Sequence, residues 1–175
     1  MEDANLLADS FPAEGFVRQD KGERVVGKRY RNFSRSLSWA EDRRTFGEKW
    51  CKLVSDILST EYRSQVARLL EQERAADLEL RFVCHGSGDW LEPHTDSDDK
   101  LFSHIIYFNR GWKKAWGGCL QILCDNDTNS VVATISPELG ASVLLARASN
   151  SWHQVTPVSP DAPVQRRSLL IHGLR

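Results

Sequence analysis

"GDWLEPHTDSDDKLFSHIIYFNRGW", residues 88–112, is the stretch on which the reading of this chain turns. It sets a histidine and an aspartate two positions apart, His94 and Asp96, ahead of an apolar run, Phe102 to Phe108, with the length and composition of a strand. On extended backbone residues i and i+2 project to the same side, so His94 and Asp96 can share one ion. A lone H-x-D triplet recurs by chance, and most such triplets are hydrogen-bonded loops, so the surroundings must decide.

Working outward, the hydrophobic period changes along the chain. Ser38-Trp39-Ala40-Glu41 has the form of a capping box, and Phe46, Trp50, Leu53, Val54, Ile57 and Leu58 recur behind it at helical spacing. A second helix is expected from about 61 to 71, where Tyr62, Val66, Leu69 and Leu70 share a face. From Asp77 the period becomes two: Leu78, Leu80 and Phe82 alternate with Glu79 and Arg81. Further strands are expected over 102–108, 119–123, 131–135, 142–146, 152–157 and 166–172, separated by turn sequences such as Gly86-Ser87-Gly88 and Gly117-Gly118. Helices ahead of a row of strands, with none interleaved, argue against a doubly wound parallel sheet. They predict an α+β, mainly β architecture, a sandwich or barrel with helices on one face.

The length of 175 residues predicts one domain, helical over about 38–72 and β-rich over about 77–174. A formal charge of −1 predicts no general attraction to nucleic acid or anionic membrane, and the longest apolar run is too short to span a bilayer. The N-terminus, MEDANLLADS, lacks the charge pattern of a leader, so a cytoplasmic monomer or homodimer is expected. Cys51, Cys84, Cys119 and Cys124 include no C-x-x-C pair and read as reduced small hydrophobes rather than a zinc site. Residues 18–35 carry Arg18, Lys21, Arg24, Lys28, Arg29, Arg31 and Arg35, interspersed with Tyr30 and Phe33. Without a recognition motif they read as a solvated, strand-poor loop, with attraction of an acidic substrate towards a nearby pocket as the functional alternative.

A metal site on His94 and Asp96 needs a third ligand from another strand, and His153, in Ser151-Trp152-His153-Gln154-Val155, is the candidate in the C-terminal strand-rich part. Two imidazoles and one carboxylate on one face of a metal leave the remaining positions open, the arrangement expected for oxygen-activating non-haem Fe(II). Downstream, in Arg166-Arg167-Ser168-Leu169-Leu170-Ile171, alternation places Arg166 and Ser168 on one face and Arg167, Leu169 and Ile171 on the other. The first pair suits a carboxylate, and Tyr107 adds a phenolic hydrogen bond. His85, His104 and His172 are expected to be structural, with His104 facing away from Ile105 and Tyr107. Trp90, Trp112, Trp116 and Trp152 read as packing residues, and Asp98 and Asp99 as solvated turn residues.

In order and spacing together, these marks resemble the Fe(II)- and 2-oxoglutarate-dependent dioxygenases, and within them the compact prolyl-4-hydroxylase-like branch. The resemblance runs from about Leu80 to Leu174. It is carried by residues 88–96, Ile106-Tyr107-Phe108-Asn109 with Trp112, Gly117-Gly118-Cys119-Leu120, Trp152-His153-Gln154-Val155 with Pro157-Val158, and Arg166-Arg167-Ser168. It implies a double-stranded β-helix, a jelly-roll or cupin-like barrel, with the N-terminal helices packed on one sheet. It further implies that His94, Asp96 and His153 are the iron ligands and catalytic centre. Arg166 and Ser168 would bind the distal carboxylate of 2-oxoglutarate, Tyr107 stands where relatives carry a tyrosine with the same task, and Ile105 and Val155 line the cosubstrate slot. Cys84 departs from the pattern, standing where many relatives have a tyrosine and so removing one hydrogen bond to the cosubstrate.

The implied reaction uses Fe(II), 2-oxoglutarate and O2 and releases succinate and CO2. Hydroxylation is the implied outcome because Asp96 is present where halogenating relatives carry a small residue. The expected substrate is a small molecule such as an amino acid or biosynthetic intermediate, an acidic one on the evidence of the basic segment. The alternatives are a peptide or protein residue, as in prolyl hydroxylases, and a jelly-roll binding module without turnover.

Overall fold

A computed structural model describes residues 2–21, 28–72 and 77–175. Its centre is β10 (Arg166–Leu174), which pairs antiparallel with β3 (Asp77–His85) on one edge and β5 (Lys100–Tyr107) on the other. The sheet extends past β5 to β8 (Ser142–Ala146). Past β3 it continues through β2 (Tyr30–Ser36), β4 (Trp90–His94), β9 (His153–Val155) and β6 (Leu120–Leu123) to β7 (Val131–Ile135). A further strand, β1 (Val17–Asp20), pairs with β2. All these pairings are antiparallel, and the curled sheet is that of a jelly-roll, cupin-like barrel, as the sequence predicts.

The two faces of the central strands have different work. Leu169 and Ile171 on β10, Leu80 and Phe82 on β3 and Phe102 on β5 are buried in one apolar cluster. α3 (Glu48–Leu58) closes that cluster by burying Trp50, Val54 and Ile57. The Trp50 ring lies 5.1 Å from Phe82 and 5.0 Å from Phe108, and its Nε1–H donates to the Ser10 carbonyl at 3.0 Å. Trp50 meets Phe82 edge to face and Phe108 at a tilt, the offset geometries that aromatic rings favour. α4 (Thr60–Leu69) is capped by Ser59, whose hydroxyl accepts from the Tyr62 amide at 3.1 Å. Tyr62 Oη then reaches His104 Nδ1 at 2.8 Å, which accounts for a histidine facing away from Ile105 and Tyr107 as expected. Among the described residues no helix is long and apolar enough to cross a membrane.

Several elements differ from the sequence reading. The capping box opens only a single turn, α2 (Trp39–Asp42), in which the Ser38 side chain makes no cap bond; the Asp42 carboxylate accepts instead from the Ser38 amide at 2.8 Å and from Arg35. The long helix restarts at Glu48, after Gly47. An N-terminal helix, α1 (Glu2–Asp9), is pinned by Arg110 donating to Asp9 at 2.6 Å. Of the segment read as a strand-poor loop, the described residues 18–20 and 30–35 lie in strands: β1 and β2 enter the sheet well ahead of Asp77. Their basic residues are largely partnered, Arg18 with Asp89 at 2.7 Å and over the Phe33 ring, Arg31 with Asp20 at 3.6 Å, and Arg35 with Asp42. Arg24 lies outside the described residues.

Gly173 is the point where β10 and β5 approach most tightly: a Cβ there would sit 2.1 Å from Cε1 of the Phe102 ring, which is itself buried in the core. Gly173→Ala should therefore cost about 1–3 kcal/mol by overpacking, read as a lowered urea midpoint with an unchanged slope. A wild-type midpoint would mean that the ring moves freely aside.

Candidate functional site

The inner face of the barrel encloses a cavity of about 480 Å³. Strand alternation brings Arg166, Ser168, Leu170 and His172 from β10 to this cavity, away from Leu169 and Ile171. Arg167 points the other way, its guanidinium 5.5 Å over the Phe11 ring. The register expected for the R-x-S segment is therefore the one in the structure.

His94, Asp96 and His153 converge at one side of the cavity. All three are buried, and one ligand atom from each lies within 4.8 Å of the others. His94 and His153 are directly opposite each other in the β4–β9 ladder, their ring centroids 4.2 Å apart. The register shifts between Leu91 and His94, where Pro93 cannot donate to the ladder, and this irregularity aims His94 inward. His94 Nδ1 lies 3.0 Å from the Glu92 carbonyl and His153 Nδ1 2.9 Å from the Ser151 carbonyl. A carbonyl only accepts, so each Nδ1 carries the proton and each Nε2 keeps a free lone pair, the tautomer a metal requires. Burial drives both imidazole pKa values down; for His94 the neighbouring His153 and Lys28 add to it.

Asp96 completes the set as an anion. Burial would raise its pKa, but the Lys100 ammonium and the Ser103 hydroxyl outweigh burial and hold the carboxyl well below the usual range. Lys100 Nζ donates to Oδ1 at 3.0 Å, and Ser103 Oγ to Oδ2 at 2.7 Å. Lys100 also meets His172 Nε2 at 3.1 Å. Two neutral imidazoles and a fixed carboxylate on one side, with cavity on the other, form a donor set suited to a divalent ion with open positions.

At the other end of the cavity, Arg166 is 97% covered, being only 3% exposed, and among the described residues it has no carboxylate partner. Its Nε donates to the Gly118 carbonyl at 2.8 Å, while Nη1 and Nη2 make only long contacts, 3.4 Å to Ser168 Oγ and 3.5 Å to Tyr107 Oη. His85 Nδ1 stands 3.3 Å from Nη1; since guanidinium only donates, His85 carries its proton on Nε2, a buried atom without a partner. A buried cation without an anion, beside an orphaned N–H, calls for a carboxylate in the cavity.

Tyr107, Ile105 and Val155 form one buried cluster with Leu120; Ile105 and Val155 line the cavity and Tyr107 Oη reaches Arg166. The sequence reading missed the parts played by His85, Lys100 and His172. Cys84, noted as replacing a cosubstrate-binding tyrosine, lies instead in the aromatic core with its thiol pKa pushed up to about 12 by burial; His85, one residue on, faces Arg166. Lys100 was given no role and His172 was read as structural, yet Lys100 holds Asp96 and His172 in turn meets Lys100. Their polarity within otherwise alternating strands was the available signal. Asp98 pairs with Arg147 and is exposed, as expected.

A family model, the 2OG-Fe(II) oxygenase superfamily, matches residues 80–171, slightly more than half of the chain, a span that includes His94, Asp96, His153, Arg166 and Ser168. The chain belongs to the 2OG-Fe(II) oxygenase superfamily. It is a 2-oxoglutarate-dependent dioxygenase, with Fe(II), 2-oxoglutarate and O2 as metal, cosubstrate and oxidant. No curated protein matches the oxygenase in sequence. Among solved structures, a prolyl-4-hydroxylase from Pseudomonas putida superposes with a TM-score of 0.63 at 17% identity, covering 98% of each chain. A Trichoplax adhaerens prolyl hydroxylase, solved with a peptide fragment of the hypoxia inducible factor oxygen degradation domain, gives 0.65 at 18% identity over 99% of this chain and 75% of that one. A 2OG-Fe(II) oxygenase family oxidoreductase from Burkholderia pseudomallei gives 0.63 at 14% identity over 97% and 76%. At such identities the likeness is one of fold.

The buried His85 and the half-buried His104 make the stability of the oxygenase sensitive to acid. Burial lowers the pKa of His104, and burial with Arg166 and Arg18 lowers that of His85 further. A depressed folded-state pKa means that the unfolded chain takes up protons first, so stability is complete above the unfolded value of about 6.5 and is lost as pH falls through it. The urea midpoint of the metal-free protein should drop between pH 7 and pH 5. A flat profile across that interval would contradict the neutral, buried state of these rings.

Proposed function

We propose that this oxygenase hydroxylates an unactivated C–H bond of a small molecule, such as an amino acid or biosynthetic intermediate, and that His94, Asp96 and His153 hold its Fe(II). When bound, the metal and cosubstrate supply O2 activation coupled to oxidative decarboxylation: one oxygen atom goes to succinate, with loss of CO2, and the other enters the substrate C–H bond. The protein's share is positional. The Glu92 and Ser151 carbonyls fix the two imidazole tautomers, and Lys100 with Ser103 fixes the Asp96 carboxylate, so that the donor set needs little rearrangement to bind metal. Arg166, Ser168 and Tyr107 hold the distal carboxylate of 2-oxoglutarate, with His85 Nε2–H as an additional donor at that end. Val83, Ile105 and Leu170 give the slot between clamp and metal an apolar wall that limits water.

The observation that carries this reading is the pairing, within one cavity, of a two-histidine, one-carboxylate set with a buried guanidinium that lacks a counter-ion. A binding module without turnover has no use for that second feature. The solved prolyl hydroxylase with a bound peptide keeps one other substrate in view, a peptide residue; activity on polypeptide but not on free small molecules would favour it. All four cysteines are free, which supports work in a reducing, cytoplasmic compartment.

Anaerobic titration of metal-free protein with Fe(II) and 2-oxoglutarate should give the weak visible charge-transfer band of the chelate. His153→Ala should remove it, and His94→Ala, Asp96→Ala and His153→Ala should each abolish turnover. Loss of the charged contacts in Arg166→Ala should raise the 2-oxoglutarate requirement roughly ten- to hundredfold, whereas Arg167→Ala should leave it near wild type. If Arg167→Ala and not Arg166→Ala had that effect, the assignment of the clamp would fall.

A further inference from the structure

The cavity has a second polar end. Along β10 Arg166 stands opposite His85, and six residues on, about 20 Å at strand spacing, His172 stands opposite Glu79 on β3 and Ser103 on β5. Ser103 is the residue that binds Asp96, so this row lies at the level of the metal-ligand set, on the side away from the clamp. Arg81 on β3, opposite Ser36 on β2, and Lys28, just before β2, line the same end.

The charges there do not balance. Arg81 pairs with Glu79, and Lys100 with Asp96 at 3.0 Å. Lys28 is left over: two-thirds covered, it comes no nearer to an acid among the described residues than 4.0 Å, and that acid is Asp96, already bound by Lys100. A divalent ion on Asp96 would claim the same carboxylate and leave the Lys28 charge without compensation. Two further donors point to the same need. His172 Nε2 accepts from Lys100, so Nδ1 carries the proton; it lies 3.8 Å from Glu79 and makes no hydrogen bond. Arg81 Nε is likewise buried and unpartnered. Asp99, the other acid at this rim, is exposed and accepts from the Ser97 hydroxyl.

We propose that the substrate is a small carboxylic acid, its carboxylate held at this end by Lys28 with Arg81 and His172 while its reacting C–H bond faces the metal. This rests on the oxygenase reading of the same cavity. A neutral or cationic substrate would leave the Lys28 ammonium without a counter-ion once the metal claims Asp96, whereas a carboxylate supplies that charge.

The experiment uses the protein loaded with Zn(II), as an inert metal, and 2-oxoglutarate, isotopically labelled on lysine and followed by NMR and calorimetry. Loading is itself the check on the earlier reading: if 2-oxoglutarate does not bind, that reading fails before any probe is added. Propionate should then shift the Lys28 side-chain signal and saturate at millimolar concentration, and propionamide should not. Lys28→Gln should weaken propionate binding about tenfold, with Lys28→Arg recovering most of the loss. Equal binding of propionate and propionamide, absence of propionate binding to the loaded protein, or full propionate affinity in Lys28→Gln would each overturn the proposal. A Gly-Glu-Gly peptide that binds about tenfold more tightly than propionate and free glutamate, with Gly-Gln-Gly inert, would assign the carboxylate to an acidic side chain of a polypeptide and overturn the small-acid source.

Discussion

Strand β10 is paired along both edges, with β3 over all nine of its residues and with β5 from Ser168 onward, and its two-residue alternation ties the core to the site. Leu169 and Ile171 are fully buried against the helix-covered aromatic cluster, so neither edge nor face of the strand is free to slip. A slip of one residue would carry Arg167 into the cavity and send Arg166 into hydrocarbon. The hydrophobic packing of Trp50 and Phe82 thus fixes, at one remove, which arginine faces the cavity. The same logic runs along β3, where Phe82 and Cys84 belong to the core and Arg81, Val83 and His85 to the cavity.

Inside that frame the site is organised by what each polar group can and cannot accept. Carbonyl partners force both imidazoles into the tautomer that leaves Nε2 free, at no cost in charge. Asp96 is charged because Lys100 stands beside it, and Lys100 in turn tolerates burial because Asp96 and His172 both accept from it. These groups stabilise one another before any metal arrives. Arg166 has no such arrangement: it is buried without an acid, a condition that favours whatever anion enters.

Much of this was legible in the sequence, and the failures have physical causes. The strands from Asp77 onward follow a period of two because one face packs on helices, and the shared faces of His94 with Asp96 and of Arg166 with Ser168 were legible from the i, i+2 rule once their strands were recognised. β2 was illegible because its inner face, Asn32, Ser34 and Ser36, lines a polar cavity, so no apolar residue marks the alternation. β4 was hidden by Pro93 and its irregular pairing, the same feature that aims His94. The break between α2 and α3 was missed because Phe46 keeps its place in the aromatic cluster although it lies outside either helix. Helical spacing recorded the packing and not the backbone.

The polarity that concealed β2 is also what gives the N-terminal segment a part in the chemistry. A strand whose inner face were apolar would have been easy to read and would have closed the cavity as hydrocarbon. Here the segment brings Asn32, Ser34 and Ser36 to the inner wall and sets Lys28 within 4.0 Å of the carboxylate of the metal-ligand set. Of the basic residues clustered in this part of the chain, Arg18, Arg31 and Arg35 are spent on ion pairs with Asp89, Asp20 and Asp42, and they belong to the architecture of the hairpin. Lys28 is the one of these four whose nearest acid is already taken. Among the described residues the same local excess of positive charge therefore separates, on geometry alone, into arginines whose ion pairs hold β1 and β2 in the sheet and a lysine, Lys28, that faces the cavity beside Asp96.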